Sequence, residues 1–313
     1  MKIIAKTSNK DIATVYIAEM PNGEPVEFVE SVQPPIPRDK KWVLIISTLY
    51  GCPVGCPFCD AGHYYHGKIS RDDLIAQIDF LISNRFPNRV VPVPKFKIQF
   101  ARMGEPAFND NILEVLELLP SLYDAPGLLP TLSTVAPAGT DSFFDRLLKI
   151  KKELYSEKFQ LQFSIHSTDV EKRDWLIPIK KWDFPKIAEY GQAFYERRGR
   201  KITLNFALAK DVPLEPRVLE KHFSPEKFLI KITPVNPTCK ASANRISSYI
   251  IPEIVDYELI DDLRARGYEV ILSIGELEEN HIGSNCGQFV TNYMREKIPV
   301  EGGYSYTVER LNS

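Results

Sequence analysis

Apolar and polar positions along this chain repeat with two periods. Three early runs, 12–17, 27–29 and 42–47, read as strands, and Pro34, Pro35 and Pro37 mark a loop between the last two. Residues 70–84 follow the helical period, with Leu74, Ile75, Ile78, Leu81 and Ile82 apolar and Ser70 at the N-cap. Strand and helix then alternate. Strands are predicted at 97–100, 130–134, 161–166, 201–207, 228–234 and 269–273, and helices at 110–119, 140–152, 184–197, 215–223 and 253–266. Repeated βα units predict a parallel sheet with its helices outside. Six or seven units counted from 42–47 suit an α/β fold, a partial (β/α)6-type barrel whose active site lies at the C-terminal strand ends. The expected division is a β extension over 1–40, the barrel over 41–290 and a C-terminal tail over 291–313.

Candidate chemistry falls on the rim that this pattern predicts. Cys52, Cys56 and Cys59 form C-x3-C-x2-C in the loop after strand 42–47, and Gly104-Glu105, Ser133, Ser164, His166 and Asn236 each follow or end a strand. Three thiolates suit three irons of a cubane cluster, which normally takes four ligands, so one iron is left open for substrate or cofactor. Zinc sites usually have two C-x2-C pairs, or one pair with two histidines. Here there is one cysteine triple, with His63 and His66 as the histidines available to complete a zinc site. Three clustered cysteines cannot all pair with one another, so disulfides fit poorly.

Composition narrows the setting. The chain has 313 residues, 44% of them hydrophobic, with 39 Lys and Arg against 41 Asp and Glu. A formal charge of −2 gives no bulk attraction to nucleic acid, although Arg197, Arg198, Arg200 and Lys201 form a local basic run. No apolar stretch is long enough for a membrane span or a signal peptide, and no membrane partner is expected. Five cysteines, three of them clustered, suit a reducing, cytoplasmic setting.

The motifs together resemble the radical S-adenosylmethionine (SAM) superfamily. More narrowly, the chain is similar to the RNA adenine C2/C8-methyltransferases of the RlmN/Cfr family. The likeness rests on Gly51-Cys52, Cys56 and Cys59, then Met103-Gly104-Glu105-Pro106 and Thr131-Leu132-Ser133-Thr134. It continues through Ser164-Ile165-His166, Arg173, Pro178-Ile179, Pro234-Val235-Asn236-Pro237, Asn244-Arg245-Ile246 and Cys286-Gly287-Gln288. The resemblance implies a [4Fe–4S] cluster on Cys52, Cys56 and Cys59, with the SAM amino and carboxylate groups on the fourth iron. Gly104 and Glu105 would meet the methionyl end, and Ser133, Ser164, His166 and Asn236 the rest of SAM. It also implies that Cys286 is methylated by one SAM, and that the 5′-deoxyadenosyl radical from a second then abstracts hydrogen from the S-methyl group.

Three departures from the family bear on the substrate. The family has a resolving cysteine seven residues before the first cluster cysteine, where this chain has Ile45. Its proton-accepting glutamate matches Ala13 in Ala13-Thr14-Val15-Tyr16. Its N-terminal RNA-binding domain is expected to be absent, because the chain starts almost where the family's strand extension starts. The leading expectation is therefore a divergent methyl-cysteine-type C-methyltransferase acting on a small molecule or peptide, with Cys239 as a relocated resolving thiol. The alternatives are an RNA adenine methyltransferase, and an enzyme that turns the adenosyl radical directly on its substrate. A flavodoxin- or ferredoxin-type electron donor is implied by the chemistry. Gly62-His63-Tyr64-Tyr65-His66-Gly67 is a candidate wall of the substrate pocket.

Overall fold

The computed structural model describes residues 1–311 except 63, 252–253, 255, 286–288, 292 and 295–298. Its strands are β1 (Lys2–Asn9), β2 (Ala13–Glu19), β3 (Pro25–Ser31), β4 (Lys41–Ile46), β5 (Leu49–Tyr50), β6 (Gly67–Lys68) and β7 (Lys95–Phe100). They continue with β8 (Leu128–Thr134), β9 (Gln160–Ser164), β10 (Ile202–Ala207), β11 (Phe228–Thr233), β12 (Glu269–Leu272) and β13 (Glu309–Arg310). The helices described are α1 (Arg71–Arg85), α2 (Asn111–Leu122), α3 (Asp141–Ile150), α4 (Val170–Leu176) and α5 (Phe184–Phe194). They are followed by α6 (Pro216–His222), α7 (Cys239–Ala243), α8 (Glu258–Ala265), α9 (Leu277–Ile282) and the single turn α10 (Phe289–Thr291).

An eleven-stranded sheet runs in the order β12-β11-β10-β9-β8-β7-β4-β3-β2-β1-β13. From β4 through β12 every neighbour is parallel, whereas β3, β2, β1 and β13 extend the sheet antiparallel. The alternating βα pattern thus gives the parallel partial barrel that it predicts, with β1–β3 as an N-terminal extension.

The strands sort their residues by alternation. In β7, Phe96, Ile98 and Phe100 pack into the apolar core, while Lys95, Lys97 and Gln99 occupy the other face. Leu161 and Phe163 of β9 and Leu204 and Phe206 of β10 join that core, with Leu113, Leu116, Phe144, Leu147 and Ile187 from the helices. The opposite face is polar: Lys41, Lys97, Gln99, Thr131, Gln160, Gln162 and Lys231 line one cavity. This lumen differs from the branched apolar filling of a closed βα barrel.

Local signals fix several helix starts. Ser70 caps α1 by accepting from the Asp73 N–H, and Asp169 and Asp183 do the same for α4 and α5. Several expected boundaries move. The strand expected over 161–166 stops at Ser164, because His166 sits at φ +64 and cannot continue a strand. The helix expected over 253–266 begins at Glu258, and that over 184–197 ends at Phe194.

Candidate functional site

The cysteine loop leaves β4 and is clasped at its base by β5 pairing with β6. Gly51 opens it at φ +76, where a Cβ would lie 1.9 Å from the Tyr64 carbonyl oxygen, so only glycine fits. A turn closes Cys56 onto Cys59 through a 3.2 Å backbone hydrogen bond, and the Gly62 N–H returns to the Cys59 carbonyl. Val54, Val135, Leu176 and Ile177 form an apolar patch against Cys52, Cys56 and Phe58.

Burial pushes the Cys52 thiol up to about 11, opposed by N–H donation from Val54, Glu105 and Gly55. Burial also raises Cys56 well above the ordinary range, and the nearby Cys59 and Cys52 and then Glu105 add to it. Thiols this reluctant to ionise need a cation to hold them as thiolates. Among the described residues, no three His, Cys, Asp or Glu side chains close tightly enough to hold a single metal ion. His66 turns away from the thiols to Glu24, with Nδ1 3.0 Å from Oε2, and His63 lies outside the described residues. Three thiols in one short loop are the donors that three irons of a cubane cluster take.

Gly104 and Glu105 follow β7 beside this loop. Gly104 has φ +95, and a Cβ there would come within 2.5 Å of the Leu49 Cβ. The Glu105 carboxylate is buried. It accepts from Thr134 Oγ1 and the Ala107 N–H on Oε1, and from the Val135 N–H at 2.9 Å on Oε2. Burial raises its pKa to about 7 against those three donors. Thr134 in turn accepts from the Ala136 N–H on its hydroxyl. Sequence reasoning missed Thr134 as the residue that orients Glu105.

Ser133, one residue earlier on β8, has its Oγ buried with no hydrogen-bond partner, as does Asn205 Oδ1 on β10. Ser164 ends β9 in register with Asn205. Orphaned polar atoms of this kind are costly unless a ligand satisfies them. Asn205 was also missed, although its alternation with Thr203 and its place opposite Ser164 put it on the same polar face. His166 is buried, and its Nδ1 accepts from the Ala207 N–H at 3.0 Å. Burial, with a smaller push from Arg173, lowers its pKa to about 4, so the ring is neutral and carries its proton on Nε2. The ring packs edge-on against Phe58 of the cysteine loop, 5.1 Å between centroids. Arg173 itself donates to the Trp182 carbonyl and lies over the Phe184 ring.

Asn236 is half-buried in the loop between β11 and α7. Cys239 begins α7, whose N-terminus is held against the cysteine loop. Asp60 accepts from the Cys239 and Lys240 N–H groups at 3.1 and 2.9 Å and from the Tyr304 hydroxyl. Thr238 donates to the Phe58 carbonyl, and Asn244 to that of Pro57. The described cysteines form no disulfide. Cys286 lies outside the described residues, but both flanks of its segment meet one buried pair. Arg102 donates to the Gly283, Ser284 and Asn285 carbonyls, and Glu27 accepts from the Val290 N–H.

A parallel partial barrel thus carries a three-thiol loop at its rim, with unsatisfied buried polar atoms on the strands beside it. The fold is that of a solved radical SAM methyltransferase from Sphaerobacter thermophilus, with a TM-score of 0.64 at 19% identity over 88% of this chain and 78% of that one. Sequence relatives carry a more particular name, probable dual-specificity RNA methyltransferase RlmN. The protein of that name from Pseudothermotoga lettingae is 27% identical over 88% of this chain and 79% of its own length. That from Salinispora tropica is 27% identical over 78% of this chain and 64% of its own length. No family model matches the chain. Among the described residues no helix is long and apolar enough to cross a membrane.

Proposed function

We propose that the chain is a radical SAM C-methyltransferase acting on a small molecule or peptide. The observation that carries this reading is the meeting of Glu105 with the thiol loop: its N–H reaches Cys52, and its buried carboxylate lies near enough for its charge to act on Cys52 and Cys56. Cys52, Cys56 and Cys59 would hold the cluster. Glu105 offers a charge for the SAM ammonium, and Gly104 lets backbone come close. Ser133, Ser164, His166 and Asn236 would bind the rest of SAM, with His166 donating from Nε2. When bound, the cofactors supply an electron and a carbon–sulfur bond, whose reductive cleavage gives methionine and a 5′-deoxyadenosyl radical. The patch of Val54, Val135, Leu176 and Ile177 keeps water from the thiol side. Cys286 would accept a methyl group and present it to the substrate, with Cys239 as the thiol that releases product. A flavodoxin- or ferredoxin-type donor would deliver the electron.

Two positions support a substrate other than ribosomal RNA. Ile45 stands where the resemblance puts the resolving cysteine, and it is paired within the sheet between Val29 and Gln99. Ala13 stands in place of the proton-accepting glutamate and is fully buried. The names of the relatives favour a second reading, methylation of an RNA base, and RNA copurifying with the protein would support it.

Intact mass of anaerobically reconstituted protein given methyl-labelled SAM tests the reading, with Cys286→Ala alongside. The expected result is one labelled methyl group that the variant lacks. Deoxyadenosine formed on reduction with no label on the protein would mean that the radical acts on the substrate directly.

A further inference from the structure

The site described above uses the rim of the barrel and leaves its lumen without a role. That lumen holds a cavity of about 360 Å³, walled by Lys41, Lys97, Gln99, Thr131, Gln162 and Lys231, with Glu276 and Glu279 on the α9 side. The volume is within the range of small-molecule sites. Lys97 is 9% exposed, as is Gln162, and among the described residues no hydrogen bond or ion pair to its ammonium group is found. The charges acting on Lys97 most strongly are all positive: Lys231, Lys41, Lys95 and Arg200. Glu279 caps its own helix, where its carboxylate accepts from the Glu276 N–H, and its charge acts on Lys231 and Lys41 but is not among the main influences on Lys97. A buried ammonium among other cations is costly unless an anion joins it.

SAM does not meet that need, since its ammonium and sulfonium outweigh its carboxylate. The cavity also lies along the strands from the SAM residues rather than among them. Gln162 pairs in register with Ser133, and Lys231 with Asn205, so the polar face runs unbroken from the rim into the cavity.

We infer that the lumen, through Lys97, Lys41 and Lys231, binds the anionic group of the enzyme's substrate, a phosphate ester or carboxylate small enough to enter the barrel. This rests on the reading of the rim as the radical site, and it narrows the substrate to a small oxyanion-bearing molecule. The amides of Gln99, Gln160 and Gln162 supply neutral donors around the charge, and the uncharged end of the substrate would lie toward Ser133 and Asn205.

Calorimetric titration of the reconstituted protein, without SAM, tests the site. Ribose 5-phosphate and succinate serve as probes at pH 6.5, with inorganic phosphate for comparison. The expected result is saturable one-to-one binding of one of the two organic probes, weakened by about tenfold or more in Lys97→Met. The tighter organic probe assigns the anion as phosphate ester or carboxylate, whereas equal binding of inorganic phosphate would overturn the substrate assignment. Lys97→Met removes a buried charge, so the variant should fold, and Lys41→Met provides a second test from another strand. No saturable binding, or binding unchanged in both variants, overturns the inference. Deoxyadenosine production by the wild type is measured separately. Its absence beside intact anion binding would sink the radical reading and leave the lumen site standing.

Discussion

Glu27 and Arg102 form a fully buried ion pair, Oε1 to Nε 2.7 Å, between the N-terminal β extension and the loop that leads into Met103-Gly104-Glu105. The guanidinium turns its other nitrogens to the carbonyls of 283–285. The Glu27 carboxylate also takes the Val290 N–H. One pair therefore holds the chain on both sides of Cys286 and ties it to the rim. Burial raises the pKa of Glu27, and Arg102 opposes that shift.

Breaking a buried pair from one side leaves an uncompensated charge. Glu27→Gln should cost about 3–5 kcal/mol in denaturant unfolding. It should also speed hydrogen exchange at 283–285 and 289–290 more than in the core strands. Unchanged exchange there would show that the pair does not hold the segment.

The Glu105→Gln variant keeps an acceptor for Thr134 but removes the charge. SAM affinity in the reconstituted protein should fall by about tenfold to a hundredfold, the worth of a charge-assisted hydrogen bond. Equilibrium dialysis with labelled SAM measures it. Equal affinity would place the ammonium elsewhere.

Lys97 gives the protein a specific pH dependence. Its pKa drops from 10.5 to about 7, first through burial and then through Lys231, Lys41, Lys95 and Arg200. Between about pH 7 and 10.5 the unfolded chain holds this proton and the folded chain does not, so stability rises with pH across that window. Lys41 and Lys95, lowered by burial in the same way, add the same sign. Lys97→Met should be more stable than wild type at pH 6.5, with the gap in Tm narrowing by pH 9. A constant gap would mean that Lys97 is paired or solvated.

The barrel was legible because its signals are local. Period-two and period-3.6 runs announce β4 and β7–β12 with their helices, and the C-x3-C-x2-C spacing places three thiols in one short loop. What escaped depends on contacts far apart in sequence. Thr134 bonds Glu105 across 29 positions, and Arg102 meets Gly283 across 181. The polar lumen lies between these cases. Lys97 and Gln99 visibly alternate with Phe96, Ile98 and Phe100, yet nothing local says that Gln162 and Lys231 share their cavity. β1 and α4 went unpredicted, β1 because its apolar positions are interrupted by Lys6 and Ser8, α4 because it is a short helix with little periodicity. Nothing in the run Ser164-Ile165-His166 marks where the strand stops, so the turn to φ +64 at His166 emerges only in the fold.

The most direct test of the account is deoxyadenosine formation by the anaerobically reconstituted protein supplied with SAM and a strong reductant, with Cys56→Ser beside it. The account predicts a cluster-loaded wild type that yields deoxyadenosine and methionine, and a variant that holds little iron and leaves SAM intact. A wild type that binds zinc in place of iron, or that loads a cluster and leaves SAM uncleaved, would contradict it.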